Sequence, residues 1–139
     1  MQEEYSQRLQ MQIPQENRYI GIANTPNMDS ELEKLSKNYN IRKISELKEY
    51  LEKNERLIPY IHSITPVINK YFPNNQKYLT YYIDPEFKEL NCAIICVIGT
   101  DDLFEEEHAK MNNLIDEILY STEFPVETKS LISVRMWWL

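Results

Sequence analysis

The stretch 90–100, LNCAIICVIGT, constrains this chain more than any other. From Ala93 to Ile98 every residue is apolar. A strand here has no polar face to give to water, so it must lie in the middle of a sheet covered on both sides. Alternation puts Leu90, Cys92, Ile94, Cys96 and Ile98 on one face and Asn91, Ala93, Ile95 and Val97 on the other. Upstream, KYLTYYI at 77–83 alternates Tyr78, Thr80 and Tyr82 against Leu79, Tyr81 and Ile83. Asp84-Pro85-Glu86 between the two segments suits a type I turn, with proline in its second position. Downstream, an amphipathic stretch at 101–119 precedes the strand LISVRMWW at 131–138. A strand–helix–strand connection of that length permits a right-handed parallel crossover. The unit reads ββαβ, with the 90–100 strand central in a three-stranded sheet.

The first half of the chain reads as helix. Ser30 and Glu33 have capping-box spacing and place a helix start at Ser30, with Leu32, Leu35 and Tyr39 on one narrow face. Asn38-Tyr39-Asn40 interrupts it, and Ile44, Leu47 and Leu51 resume a similar stripe with Ser45 as cap and Glu49 and Lys53 paired on the outer face. A third helix begins at Leu57-Ile58-Pro59, proline being tolerated in a first turn. It buries Ile58, Ile61, Ile64 (or Thr65) and Ile68 and ends at Tyr71-Phe72-Pro73-Asn74-Asn75. Pro66 inside it either kinks the helix or restarts it with Thr65 as cap. Asp102 and Glu105 form a further capping box before the stripe Phe104, Met111, Leu114, Ile115, Ile118 and Leu119. The fold class is therefore α+β: N-terminal helices, then ββαβ, with the helices packed on the sheet. Residues 1–27 are polar and without period, apart from an island at 19–22, and read as a flexible tail before a single domain at 28–139.

At 139 residues the chain suits one domain, and one of that size buries ~68% of its unfolded surface. No apolar run approaches the ~20 residues of a membrane span, and the polar N-terminus lacks a signal-peptide pattern. A cytoplasmic protein without membrane contact is expected. The net charge of −7 is concentrated: nine acids and three bases fall in residues 101–139, which alone carry −6. A nucleic-acid backbone binder needs a basic face that this distribution does not offer, so nucleic acid is not an expected partner.

Motifs that carry chemistry are scarce. Glycine occurs only at 21 and 99, too few for a phosphate-cradling loop or a dinucleotide fingerprint, and no cofactor is expected. Cys92 and Cys96 lie ~13 Å apart along a strand, and no third ligand completes a tetrahedral set. They read as reduced core thiols without metal. His62 and His108 have no nucleophile beside them in sequence. Asp101 and Asp102 follow the central strand, where α/β folds often hold ligands. Two carboxylates there are weak candidates for a Mg²⁺ site, although a helix start complemented by acids explains the same residues. Glu106 and Glu107 add to that charge, and reversing both is expected to leave the fold intact. Of Trp137 and Trp138, one must pack inward and the other face out unless a helix covers it; an exposed tryptophan is an interface anchor.

The run IHSITPVINKYFPNNQKYLTYYIDPEFKELNCAIICVI, together with the closing Trp137-Trp138, resembles a group of short bacterial proteins. They share a helix ending in Tyr-Phe-Pro, a strand, an Asp-Pro-Glu turn, a second strand, a helix and a terminal tryptophan pair. The resemblance covers about residues 57–138. It implies the domain boundary and no particular activity.

Two functions are compatible with these residues. The first is a small acidic intracellular interaction module without catalysis, binding a protein partner or a second copy of itself, for instance as a neutraliser of a basic protein. Glu106, Glu107, Trp137 and Trp138 are its candidate contact residues. The second is a ligand- or metal-dependent enzyme with its site at the carboxyl end of the central strand, using Asp101 and Asp102.

Overall fold

The computed structural model describes residues 27–138. The expected tail, with the island at 19–22, lies outside the described residues apart from Asn27. The chain divides into two units between Glu31 and Leu32; of the first only residues 27–31 are described, and the architecture below is otherwise that of the second.

The elements run α1 (Met28–Leu35), β1 (Asn40–Ile41), α2 (Ile44–Lys53), α3 (Leu57–Tyr71), β2 (Lys77–Tyr82), a 3₁₀ turn (Lys88–Leu90), β3 (Cys92–Gly99), a second 3₁₀ turn (Asp101–Leu103), α4 (Phe104–Tyr120), α5 (Val126–Lys129) and β4 (Ile132–Trp138). The class is α+β, as expected. Among the described residues the sheet has four strands rather than three, in the order β1-β2-β3-β4. β2 and β3 pair antiparallel, while β1 with β2 and β3 with β4 pair parallel, so the sheet is mixed. The added strand is two residues long and joins only through Asn40↔Tyr78 and Ile41↔Leu79. Such a piece has no periodicity to read.

β3 is flanked on both sides, and Ala93, Ile94, Ile95, Cys96 and Val97 are all buried, which is the placement its two apolar faces require. Leu90 falls outside the strand, in the preceding 3₁₀ turn, and is 54% exposed. The connection from β2 is longer than a type I turn. Asp84 Oδ1 accepts from the Glu86 and Phe87 N–H groups at 2.9 and 2.8 Å, and Asn91 Oδ1 accepts from the Asp84 N–H at 2.7 Å. Those backbone donors hold the Asp84 carboxyl below its usual range.

Three helix starts, those of α1, α2 and α4, differ from their sequence signals, whereas α3 starts at Leu57 as expected. α1 begins at Met28, with the Asn27 side chain accepting the Asp29 N–H at 3.0 Å, so Ser30 is inside the helix. α2 begins at Ile44 with Lys43 before it, and Ser45 caps nothing; Ile44 is 56% exposed while Leu47 and Leu51 are buried. α3 runs unbroken through Pro66. There Thr65 Oγ1 donates to the Ile61 carbonyl at 2.7 Å and pairs with the buried Tyr39 hydroxyl at 2.7 Å, tying β1's approach to the middle of α3. α4 begins at Phe104 without a side-chain cap, so the expected Asp102–Glu105 box is absent. Its buried stripe is Met111, Leu114 and Ile118, with Phe104 and Leu119 left exposed.

Register sorts the sheet into two faces. Leu79, Ile95 and Val134 share one with Tyr81, Val97 and Trp138. Helices pack on this face: Tyr50 of α2 meets Tyr81 at 5.1 Å with the rings tilted and donates its hydroxyl to the Leu131 carbonyl at 2.8 Å, and Phe104 of α4 meets Trp138 at 4.5 Å. Tyr78, Thr80, Tyr82, Cys96, Arg135 and Trp137 share the opposite face.

Candidate functional site

The carboxyl end of β3 is organised by a residue the sequence reading assigned to the solvent. Glu107 is 4% exposed. Its Oε1 accepts the Thr100 backbone N–H at 2.7 Å and its Oε2 accepts from Asn75 Nδ2 at 2.9 Å. The same amide donates to the Ile98 carbonyl at 2.9 Å, and Lys77 Nζ donates to the Asn75 carbonyl at 3.0 Å. Lys77 is itself buried, and burial lowers its pKa. Glu107 thus clamps the start of α4 to the β3 end and to the loop after α3. Its candidacy as a solvent-facing contact, and the expectation that its reversal spares the fold, are both corrected by this geometry.

Asp101 and Asp102 lie in the 3₁₀ turn at that strand end, exposed, with Glu105 and Glu106 following on α4. Among the described residues no group of three or more His, Cys, Asp or Glu converges as a metal site. The four carboxylates instead surround two exposed apolar side chains, Leu103 (43%) and Phe104 (49%). His108 stacks on Phe104 at 5.9 Å.

The terminal tryptophans divide as alternation requires. Trp138 turns to the helix-covered face and lies over Gly99, its partner across the β3–β4 ladder. A Cβ at position 99 would stand 2.8 Å from Trp138 Cε2 and 2.9 Å from Met136 Cε, so only glycine fits beneath the indole. Trp138 Nε1 is buried with no hydrogen-bond partner among the described residues. Trp137 faces the other way and is 45% exposed.

On Trp137's face is a cleft of about 590 Å³ lined by Arg42, Lys43, Tyr78, Thr80 and Trp137. The Arg42 guanidinium sits over the Tyr78 ring, 4.7 Å from its centroid. Lys43 has φ 51 and ψ 54, a left-handed conformation uncommon for a residue with a side chain. It turns the chain from β1 into α2, whose Leu47 N–H bonds to the Lys43 carbonyl at 2.9 Å. Neither cation has a carboxylate partner among the described residues. Sequence reasoning passed over Arg42 and Lys43 because they sit in a charge-balanced stretch. The only signal was two adjacent bases beside a short interruption.

Cys92 and Cys96 are both free thiols on the cleft's face of the sheet. Cys96 is fully buried, and burial raises its pKa to about 11; Cys92 is half-buried and raised by the same cause. Among the described residues no helix is long and apolar enough to cross a membrane. No protein-family model matches this chain, and no curated protein or solved structure matches it either.

Proposed function

We propose that the chain is a small interaction module without catalysis, which docks a basic protein through the start of α4. The observation that carries this reading is the pairing of Leu103 and Phe104, both exposed, with the exposed carboxylates of Asp101, Asp102, Glu105 and Glu106 around them. An apolar centre with a polar rim is the anatomy of a protein interface. A rim of one sign adds steering toward a partner of the opposite sign. Residues 101–139 hold six of the seven excess negative charges, so the long-range field points the same way.

A basic partner purified with the chain from its native cells provides the test, by association kinetics. Association should slow as salt rises, because exposed charges are screened beyond ~8 Å at physiological ionic strength. Glu105→Lys with Glu106→Lys should slow it by about tenfold or more, and Phe104→Ala should speed dissociation. Association insensitive to both salt and these changes would refute the reading.

A further inference from the structure

We propose that the cleft between β1 and β4, lined by Arg42, Lys43, Tyr78, Thr80 and Trp137, binds a nucleoside monophosphate, with Arg42 and Lys43 on the phosphate and Trp137 stacked on the base. The inference is separate from the docking surface at the start of α4 and shares no residue with it.

Charge is the first support. The chain carries −7 overall, yet two adjacent cations, without carboxylate partners among the described residues, open on one cleft. Arg42 sits over the Tyr78 ring, with no acid paired to it among the described residues. A ring face attracts a guanidinium without neutralising it, so an anion can still be bound there. Lys43 is positioned by backbone: its left-handed conformation sets the direction in which β1 delivers the side chain. A non-glycine residue kept in this region is a kind of local strain that collects at ligand sites.

Ring chemistry is the second. Trp137 is 45% exposed on the cleft's wall while its neighbour Trp138 is less exposed and turned to the other face of the sheet. An accessible indole presents a flat face on which a base of any identity can stack. The Thr80 hydroxyl adds a group that both donates and accepts. The cleft's volume, about 590 Å³, falls within the range of ~300–1,000 Å³ of small-molecule sites. An inorganic anion alone would leave the indole unused, and an uncharged aromatic would leave both cations unanswered. A ligand with both parts uses the whole lining. Binding of this kind needs no glycine-rich loop, in keeping with a chain that has glycine only at 21 and 99.

The test is calorimetric titration of the full chain with AMP, with adenosine, inorganic phosphate and phenyl phosphate as separate arms. AMP should bind about tenfold or more tighter than any of the three. Arg42→Gln with Lys43→Gln should weaken AMP by about tenfold or more, as should Trp137→Leu. Circular dichroism should show each variant folded. Glu105→Lys with Glu106→Lys should leave AMP affinity unchanged or slightly improved, which separates this site from the protein-docking surface. No heat with AMP at about 1 mM would overturn the proposal, and so would AMP affinity unmoved by the three cleft substitutions. Phosphate binding as tightly as AMP would show a simple anion site. Phenyl phosphate doing so would reassign the cleft to a phosphorylated aromatic side chain, and either result also refutes the nucleotide assignment.

Discussion

Glu107, in the first turn of α4, reaches back to accept the Thr100 backbone N–H at 2.7 Å, closing the end of the central strand with a buried carboxylate. Removing it leaves that N–H and the Asn75 amide without their acceptor. Glu107→Ala should cost about 2–4 kcal/mol in urea unfolding, since bonds to a charged group and the desolvated partners left behind are both at stake. Glu106→Ala, one residue away and exposed, should fall within about 0.5 kcal/mol of wild type. Equal effects from the two would show that Glu107 is not the clamp described here.

Gly99 and Trp138 are coupled through a close approach, which Met136 Cε shares. Gly99→Ala places a methyl under the indole and should destabilise by about 1–3 kcal/mol, the usual cost of overpacking. Replacing the indole by a smaller side chain in Trp138→Leu frees that space. The double variant should therefore be more stable than the sum of the single losses allows, by about 0.5–3 kcal/mol of interaction. Strict additivity would mean that the glycine answers to something other than the ring.

Three phenols respond to alkali together. Burial raises Tyr39, Tyr50 and Tyr60 each to about 12, against an ordinary value of 10.0. Because the folded values lie above the unfolded one, the stability the neutral phenols contribute is fully present below pH 10 and is lost as pH rises toward 12. Phenolate absorbance should show Tyr39, Tyr50 and Tyr60 ionising together, well above their ordinary value, as the fold melts. Tyr39→Phe removes one of these groups and its bond to Thr65, so that phase should lose amplitude. Non-cooperative ionisation of these three near 10.0 would contradict the burial that raises them.

The thiols should separate by exposure. Cys96, fully buried, should react with a thiol reagent only on unfolding, and half-buried Cys92 should react slowly in the native state. Equal rates, measured by mass spectrometry of the labelled peptides, would refute that order.

The central strand was legible because six consecutive apolar residues, Ala93–Ile98, permit no other placement. The buried face of α3 was legible for the same reason: Ile58, Ile61, Ile64 and Ile68 keep a helical period, and tertiary packing carries the helix through Pro66. Helix starts were not. Ser30, Ser45 and Asp102 are good caps in isolation, yet the chain enters α1 from Asn27, α2 from a left-handed Lys43 and α4 through a 3₁₀ turn. Local capping signals lost to the paths the connections take. Glu107 reads in sequence as one of three consecutive acids, and nothing local marks the one that turns inward. Arg42 and Lys43 become a pair facing Trp137 only through β1, a strand of two residues. Alternation did require the tryptophans to point apart, but which one faced out depended on the register that sets Trp138 against Gly99.

That division is also the basis of the proposed sites: Trp138 seals the fold while Trp137 serves a cationic cleft. Quenching of tryptophan fluorescence by iodide and by caesium measures it without any ligand or partner. Trp138→Phe leaves Trp137 as the reporter, and Trp137→Phe leaves Trp138. With Trp137 alone, iodide should quench strongly and caesium weakly, because Arg42 and Lys43 gather the anion and repel the cation, and Arg42→Gln with Lys43→Gln should abolish the difference. With Trp138 alone, iodide should quench less than it quenches Trp137, because that ring is the less exposed. Quenching of Trp138 as strong as that of Trp137, or caesium matching iodide at Trp137, would contradict the assignment of the two rings.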